Sequence, residues 1–596
     1  METNRDLEAT WEYHEGTKHS LQSVHSSQHF LDFENKPLPF KIYADLEPIR
    51  LPQGLEPSGF AALEALAASA AEPEGERLPD LKLLARLLHY SAGIIKRIRH
   101  SHGEMLFRAA SCTGALYHID LYLVCGDLPD LEAGVYHFGV HDFALRQLRR
   151  GDFRGELVRA TAGESAVASA PATLICSSTF WRNSWKYQAR AYRHCFWDSG
   201  TILANLLAMT AAHGVAARVV CGFVDGWVNR LLGLEPQQEV ALALIPLGRD
   251  SPIGQAPKVG PLALETTPLP RSEVDYPAIR AMHEASSLAE ETEVAAWRGA
   301  ASVVPLAPPA GRPFPLRPLN DREVPHDSIE EVISRRGSSR RFARQPISLE
   351  QLSTALSSIG GITADFTQSG GRLLNDAYII VNAVEGLPCG SYVYHPDESA
   401  LELLREGEYR DEAGDLGLEQ ALPGDASANV FFLTDLAPIL ERFGNRGYRL
   451  AQLEAAINGG RLYLASYALG LGATGLTFYD DAVTDFFSPT RRERARCSLW
   501  RWVIPPGGGP ARRGAVSYRP ALLPPGHLPE QQLVAAGGEE GVLHAPQRIL
   551  RQAGGHPVHQ GATPDGQLGE LLRGVHLNPL RIPLVRRPRA LGQALP

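Results

Sequence analysis

Arg336, Ser338 and Arg340 stand at alternate positions in the run Ser334-Arg335-Arg336-Gly337-Ser338-Ser339-Arg340-Arg341-Phe342. A guanidinium fork gives two parallel hydrogen bonds to an oxyanion, and a hydroxyl adds another donor. On an extended backbone, alternation aims all three side chains the same way. The chemistry this set serves is capture of a phosphate dianion. A solvated basic turn is the plainer meaning of such a cluster. The apolar helical stretch Ile329-Glu330-Glu331-Val332-Ile333 just ahead of it favours the binding role.

A second string, Gly470-Leu471-Gly472-Ala473-Thr474-Gly475, matches G-x-G-x-x-G. The dinucleotide fingerprint needs a strand, then the glycine turn, then a helix. Here the pattern predicts a helix over 461–469, with Leu462, Leu464, Ala465, Ala468 and Leu469 as its core face, and a β-rich Leu476-Thr477-Phe478-Tyr479 afterwards. The order is reversed, so the string reads as a helix end feeding a strand. His118, His137 and His194 show no metal spacing, and the seven scattered cysteines never form C-x-x-C, so no metal site is expected.

The elements that position these groups occur twice. At a constant offset of 256 positions, Ser111–Leu231 resembles Thr367–Phe487. Ser111-Cys112-Thr113-Gly114-Ala115 falls on Thr367-Gln368-Ser369-Gly370-Gly371, and Arg190-Ala191-Tyr192-Arg193 on Arg446-Gly447-Tyr448-Arg449. So long a unit indicates two fused copies of one domain rather than a solenoid. The copies differ where chemistry is concerned. The offset places Asp80, Lys82 and Leu84 opposite Arg336, Ser338 and Arg340, and the nearby Ala65–Ala71 run holds no arginine, so the first copy lacks a phosphate grip.

With 596 residues, 44% of them hydrophobic, the chain can bury two cores. A net charge of −9 leaves no electrostatic footprint for nucleic acid. No apolar run is long enough to span a bilayer, no signal peptide opens the chain, and the cysteine usage suits a reducing cytoplasm. Five regions follow: a lead-in at 1–57, a first copy at 58–249, a Pro-rich linker at 250–324 with one helical stretch from Tyr276 to Trp297, a second copy at 325–504, and a Pro/Gly/Arg/Gln tail at 505–596 expected to be disordered. Helices are expected at 60–71 and 81–90, and strands at 121–124 and 172–176.

The helix followed by R-x-S-x-R, the turn Arg108-Ala109-Ala110-Ser111-Cys112-Thr113-Gly114-Ala115-Leu116-Tyr117, the strand-opening Gly386–Tyr394 and the late Ala/Leu helix ending in glycine resemble the FMN-dependent nitroreductase superfamily. Lys186-Tyr187 with Arg190-Ala191-Tyr192-Arg193 narrows the resemblance to its SagB-type dehydrogenase branch, which includes azoline oxidases. The likeness covers about two thirds of the chain. It departs at Cys112 and His118, where the branch carries Ser and Pro.

The resemblance implies an α+β fold, two tandem nitroreductase-like domains each with a mixed, mainly antiparallel sheet wrapped by helices, joined as an intramolecular pseudo-dimer. It implies FMN between them, held by Arg336, Ser338, Arg340, Gly475 and Leu476 of the second copy and Cys112, Thr113, Gly114 and Ala115 of the first. Lys186 and Tyr187 become the catalytic pair; Arg182, Arg190 and Arg193 are cations that could lower the lysine pKa, and the second copy has Arg442-Phe443 instead. The mirror pocket, on Ser369-Gly370-Gly371, lacks its arginines, so one FMN per chain is expected. The implied activity is dehydrogenation of a heterocycle or peptide-derived substrate, with oxygen as acceptor and peptide-modifying enzymes as possible partners. An NAD(P)H-dependent nitro- or ene-reductase and a non-catalytic peptide-holding scaffold are the alternatives.

Overall fold

The computed structural model describes residues 3–70, 78–100, 103–249, 251–298, 311–367, 373–487 and 496–504, all within one compact unit spanning Met1–Gly541. The turn Ser369-Gly370-Gly371 and the 505–596 tail lie outside the described residues.

The first sheet is built on β4 (Ile119–Cys125) and β7 (Ala172–Thr179), whose residues are all buried. Near-continuous apolar runs of this kind fit strands covered on both faces. Its order is β1-β6-β5-β4-β7-β8, all antiparallel, with β1 at Pro48–Arg50, β5 at Gly134–Gly139, β6 at Ala144–Arg150 and β8 at Glu239–Leu247. A separate hairpin, β2 (Ile94–His100) and β3 (Gly103–Arg108), leads into the turn before β4.

The second sheet repeats this plan in the order β14-β15-β13-β10-β11-β12-β9, again antiparallel. Its strands are β9 (Arg312–Pro315), β10 (Asp376–Val381), β11 (Gly390–His395), β12 (Ala400–Glu406), β13 (Ala428–Asp435), β14 (Thr474–Gly475) and β15 (Arg496–Ile504). Even the bulges recur: Val135/Tyr136 and Cys176/Ser177 in the first copy, Ser391/Tyr392 and Phe432/Leu433 in the second. Bulges re-aim strands locally, so their recurrence marks one architecture used twice.

The helices used below are α1 (Glu8–Gly16), α2 (Ala62–Ala68), α3 (Leu81–Ala92), α4 (Phe180–Tyr187), α5 (Ala191–Ala212), α6 (Asp225–Leu232), α7 (Pro277–Ala285), α8 (Glu291–Arg298), α9 (Ile329–Arg335), α10 (Leu349–Leu356), α11 (Leu436–Phe443), α12 (Arg446–Ala468) and α13 (Asp480–Phe487). The copies meet chiefly along α5 and α12. Gly200 faces Ala456 and Gly460 faces Ala204, reciprocal pairs in which a Cβ on either glycine would overlap the opposing alanine methyl. At the other contact Ala62 N–H donates to Asp327 O at 2.9 Å and Ile329 N–H to Phe60 O at 3.0 Å, a matched pair across a local two-fold.

Charge is exchanged in the same reciprocal way. Arg190, just ahead of α5, and Arg193 on it hold Asp480 of α13 at 3.0 and 2.6 Å, while Arg446 and Arg449 on α12 hold Asp225 of α6 at 2.7 and 2.8 Å. Both carboxyls are buried, which pushes their pKa up, yet the paired guanidiniums outweigh this and hold each down at about 2. Arg193 also donates to His14 O and Thr17 Oγ1, and Arg449 to His283 O and Ser286 Oγ.

Those last contacts extend the repeat. The lead-in helix α1 and the linker helix α7 occupy equivalent places, and His14-Glu15-Gly16-Thr17 matches His283-Glu284-Ala285-Ser286. Three expectations need correction. The stretch 276–297 is two helices, α7 and α8, broken at Ser286-Ser287-Leu288-Ala289-Glu290. Residues 476–479 are not a strand; only Thr474–Gly475 pair with β15. The offset of 256 fails upstream of the turn: α2 pairs with α9 at an offset of 267, so Ser69 answers Arg336, and Asp80, Lys82 and Leu84 belong to the start of α3, whose counterpart is α10. No described helix is long and apolar enough to cross a membrane.

Candidate functional site

The turn between β3 and β4 carries Cys112, Thr113, Gly114 and Ala115. Gly114, Ala115 and Tyr117 all have positive φ, at 63°, 52° and 51°. Glycine adopts that conformation freely; alanine and tyrosine do so only where the surroundings impose it. Asp198 on α5 imposes it here. It accepts from Thr113 N–H at 2.9 Å, Thr113 Oγ1 at 2.8 Å and the Cys112 thiol at 2.9 Å, and lies 2.8 Å from His118 Nε2. Burial, then the Asp198 charge, raise the Cys112 pKa well above the ordinary thiol range, so the sulfur acts as a neutral donor. Cys112, His118 and Asp198 could together ligate an ion. Sequence spacing gave no hint of this trio, and their mutual hydrogen bonds already give each a partner.

The phosphate-type run leaves the end of α9. Arg336 reaches the other copy: its Nε and Nη2 donate to Ala109 O at 3.2 and 3.1 Å, and Nη2 also lies 3.3 Å from Arg108 O. Its guanidinium sits 5.1 Å from the centre of the Tyr463 ring. Tyr463 Oη donates to Ser338 Oγ at 2.7 Å, which ties α12 to the run. Ser339 N–H donates to Ala473 O at 2.9 Å, bringing the run beside the loop that carries Gly475 and Leu476. Ser338 and Arg340 are exposed and Arg336 is half-buried. Residues of both copies therefore converge, with Asp198 and Tyr463 as supports that local sequence did not single out.

Lys186 and Tyr187 close α4. A Cβ on Gly114 would come within 2.7 Å of Tyr187 Oη, so the phenol lies directly against the glycine of the turn. Lys186 Nζ is 5.2 Å from the Tyr187 ring centre, and in the other copy Arg442 lies 4.1 Å from the Phe443 ring centre, the same geometry without a hydroxyl. The three arginines expected to act on Lys186 are engaged elsewhere: Arg182 with Asp120 at 2.8 Å, Arg190 and Arg193 with Asp480. Arg190 and Arg193 share the single carboxylate of Asp480.

The mirror position is built differently. Ser69 stands where Arg336 would, and the backbones of Val219 and Ala364 form a parallel bridge across the copies. Asp365 accepts from Cys221 N–H at 2.9 Å and Gly222 N–H at 2.7 Å. Trp297 of α8, 1% exposed, fills the space beside Gly222, where an added Cβ would meet its ring at 2.6 Å.

Comparison with known proteins agrees with this architecture. A crystal structure from Anabaena variabilis, bearing a provisional nitroreductase name, superposes with a TM-score of 0.66 at 24% identity, covering 84% of this chain and 99% of that one. That likeness shows the fold. A protein of Methanocaldococcus jannaschii, also provisionally named a nitroreductase, is 25% identical over 146 residues, 24% of this chain and 72% of its own length. The E. coli microcin synthetase McbBCD complex with truncated pro-MccB17 matches 39% of this chain and 81% of its own at 18% identity and a TM-score of 0.26, too low to carry an argument. The family model described as Nitroreductase family matches residues 109–249 and 333–494, about half of the sequence in two segments, and this chain belongs to that family.

Proposed function

We propose that the chain is an FMN-dependent oxidoreductase with one flavin held between its two copies, acting in the cytoplasm as a SagB-type dehydrogenase on a heterocycle or peptide-derived substrate. The observation that carries this reading is the reach of Arg336 of one copy to Ala109 O at the start of the other copy's turn, whose Gly114 lies against Tyr187.

The donor set suits a flavin mononucleotide. Arg336, Ser338 and Arg340 would supply guanidinium and hydroxyl donors for its phosphate, and Gly475, Leu476 and the Cys112–Ala115 turn would complete the site. Bound FMN supplies hydride acceptance, chemistry no side chain provides. The protein's own part is positional and protonic. Asp198 fixes the start of the turn, Tyr463 holds Ser338 and lies beside Arg336, and Lys186 with Tyr187 would accept the proton the substrate gives up. Arg336 would exchange its carbonyl contacts for the phosphate, a stronger charge-assisted partner. The Trp297-filled mirror position supports a single flavin per chain.

The test is the absorption spectrum of purified protein with released flavin counted per chain. About one FMN per chain, lost in Arg336→Ala, is the expected result. Two per chain refutes the single site, and none after reconstitution with excess FMN removes the enzyme reading. Rapid bleaching by NAD(P)H would turn the assignment to a reductase.

A further inference from the structure

Asp198 is 2% exposed, and among the described residues it pairs with no lysine or arginine, only with His118. The buried interface carboxyls Asp225 and Asp480 each hold two arginines. Arg108, whose charge is felt at Cys112, donates instead to Ile119 O and Pro39 O. Buried charges are paired with one another or coordinate a metal ion.

The two oxygens of Asp198 serve different groups. Oδ1 accepts from Thr113 N–H and Thr113 Oγ1 at 2.9 and 2.8 Å, whereas Oδ2 has Cys112 Sγ at 2.9 Å and His118 Nε2 at 2.8 Å, with Thr113 N–H a longer 3.1 Å away. Sulfur, imidazole nitrogen and carboxylate oxygen all lie within 4.8 Å of one another. A tetrahedral zinc ion bonded at about 2.0–2.3 Å spaces its ligand atoms about 3.3–3.5 Å apart, so a small outward shift of Cys112 and His118 opens the site. His118 Nδ1 lies 2.8 Å from Ser178 Oγ, which can accept its proton and leave the Nε2 lone pair to an ion, as outer partners of metal-bound imidazoles do. Cys112 is half-buried, which gives an ion a path to the sulfur.

The second copy is an internal control. Glu454 answers Asp198 and accepts from Leu374 N–H and Asn375 N–H, although leucine stands opposite His118 and, in the sequence, Gln368 stands opposite Cys112. Holding that backbone therefore requires neither a thiol nor an imidazole.

We propose that Cys112 Sγ, His118 Nε2 and a carboxylate oxygen of Asp198 bind one zinc-class divalent cation at the start of the turn, with solvent in the fourth position. Thiolate, imidazole and carboxylate together suit zinc rather than magnesium or calcium, which take oxygen ligands. On binding, the thiol proton passes to solvent, and thiolate and carboxylate balance the two positive charges of the ion. The site stands whether or not the chain takes up flavin.

Cobalt(II) titration of the full, chelator-stripped chain tests it, because a cobalt–thiolate bond gives a near-ultraviolet charge-transfer band and tetrahedral cobalt absorbs in the red, beyond flavin. About one cobalt per chain is expected, displaced by zinc and not by excess magnesium. Cys112→Ser is expected to remove the charge-transfer band. His118→Gln is expected to weaken zinc binding about a hundredfold or more, at least the cost of losing an outer partner. In the unaltered chain zinc should also protect Cys112 from alkylation, read by mass spectrometry, which assigns the ligand without any variant. Absence of the band in the unaltered chain overturns the site whatever the variants do. So does equal alkylation of Cys112 with and without zinc, a band that survives in Cys112→Ser, or undiminished zinc affinity in His118→Gln, since the ion would then sit elsewhere.

Discussion

Trp297 donates its indole N–H to Phe443 O at 3.1 Å, and the two rings lie 5.4 Å apart. Phe443 is the counterpart of Tyr187, so a side chain from α8 sits where the mirror site would need open space. Trp297→Ala is expected to destabilise the fold by about 3–5 kcal/mol, the usual cost of deleting a large buried aromatic, measured by denaturant unfolding. Flavin content should stay at one per chain, because the first copy offers Ser69 in place of Arg336. A second equivalent of FMN in this variant would show that the indole alone had excluded it.

The exchanged ion pairs give an acid-sensitive interface. Asp225 and Asp480 are held at about 2, below the unfolded value near 3.9, so their contribution is complete above about pH 4 and is lost as pH falls toward 2. Asp480→Asn leaves Arg190 and Arg193 buried without a carboxylate and should cost on the order of 3–5 kcal/mol at neutral pH. Unfolding curves at pH 7 and pH 3 should show a smaller acid-induced loss in the variant than in the parent; equal losses would place the acid sensitivity elsewhere.

Glu454 behaves in the opposite sense. It answers Asp198 at the offset of 256, and its Oε2 accepts from Leu374 N–H at 2.7 Å and Asn375 N–H at 3.0 Å. Burial outweighs these hydrogen bonds and raises its pKa to about 7. Its favourable protonated form is fully present below the unfolded value near 4.3, and the advantage is lost as pH rises through about 7. Stability of the parent should therefore fall between roughly pH 4.5 and 7, and Glu454→Gln should flatten that part of the profile.

Lys186→Met and Tyr187→Phe should each lower turnover by about a hundredfold or more while leaving flavin content near the parent value, as expected for loss of a positioned acid or base. Arg442→Lys with Phe443→Tyr, which copies the pair into the other half, should gain no activity. Substrate oxidation followed at 25 °C with the flavin count as denominator checks both; a parallel loss of flavin would show that the pair holds the cofactor site together.

The strands, the duplication and the Arg336–Arg340 run were legible because their signals are local. Buried strands need apolar runs, and paired copies keep register from β4 to α12 since a one-residue slip would turn core side chains outward. The beginnings of the copies were not legible as such: loops of unequal length shift the offset to 267 at α2 and α9, and loop length leaves no periodic trace. The partners of the arginines near Lys186 were not legible for a related reason. Arg190 and Arg193 follow it closely in sequence, but the start of α5 and the turn before it aim them across the two-fold at Asp480. Asp198 under the turn and Trp297 in the mirror position likewise have partners far away in the chain. Residue types and spacing determined which chemistry the chain could hold. Only the packing of one copy on the other decided which groups meet, because burial, charge pairing and close helix approach are properties of the interface rather than of any segment.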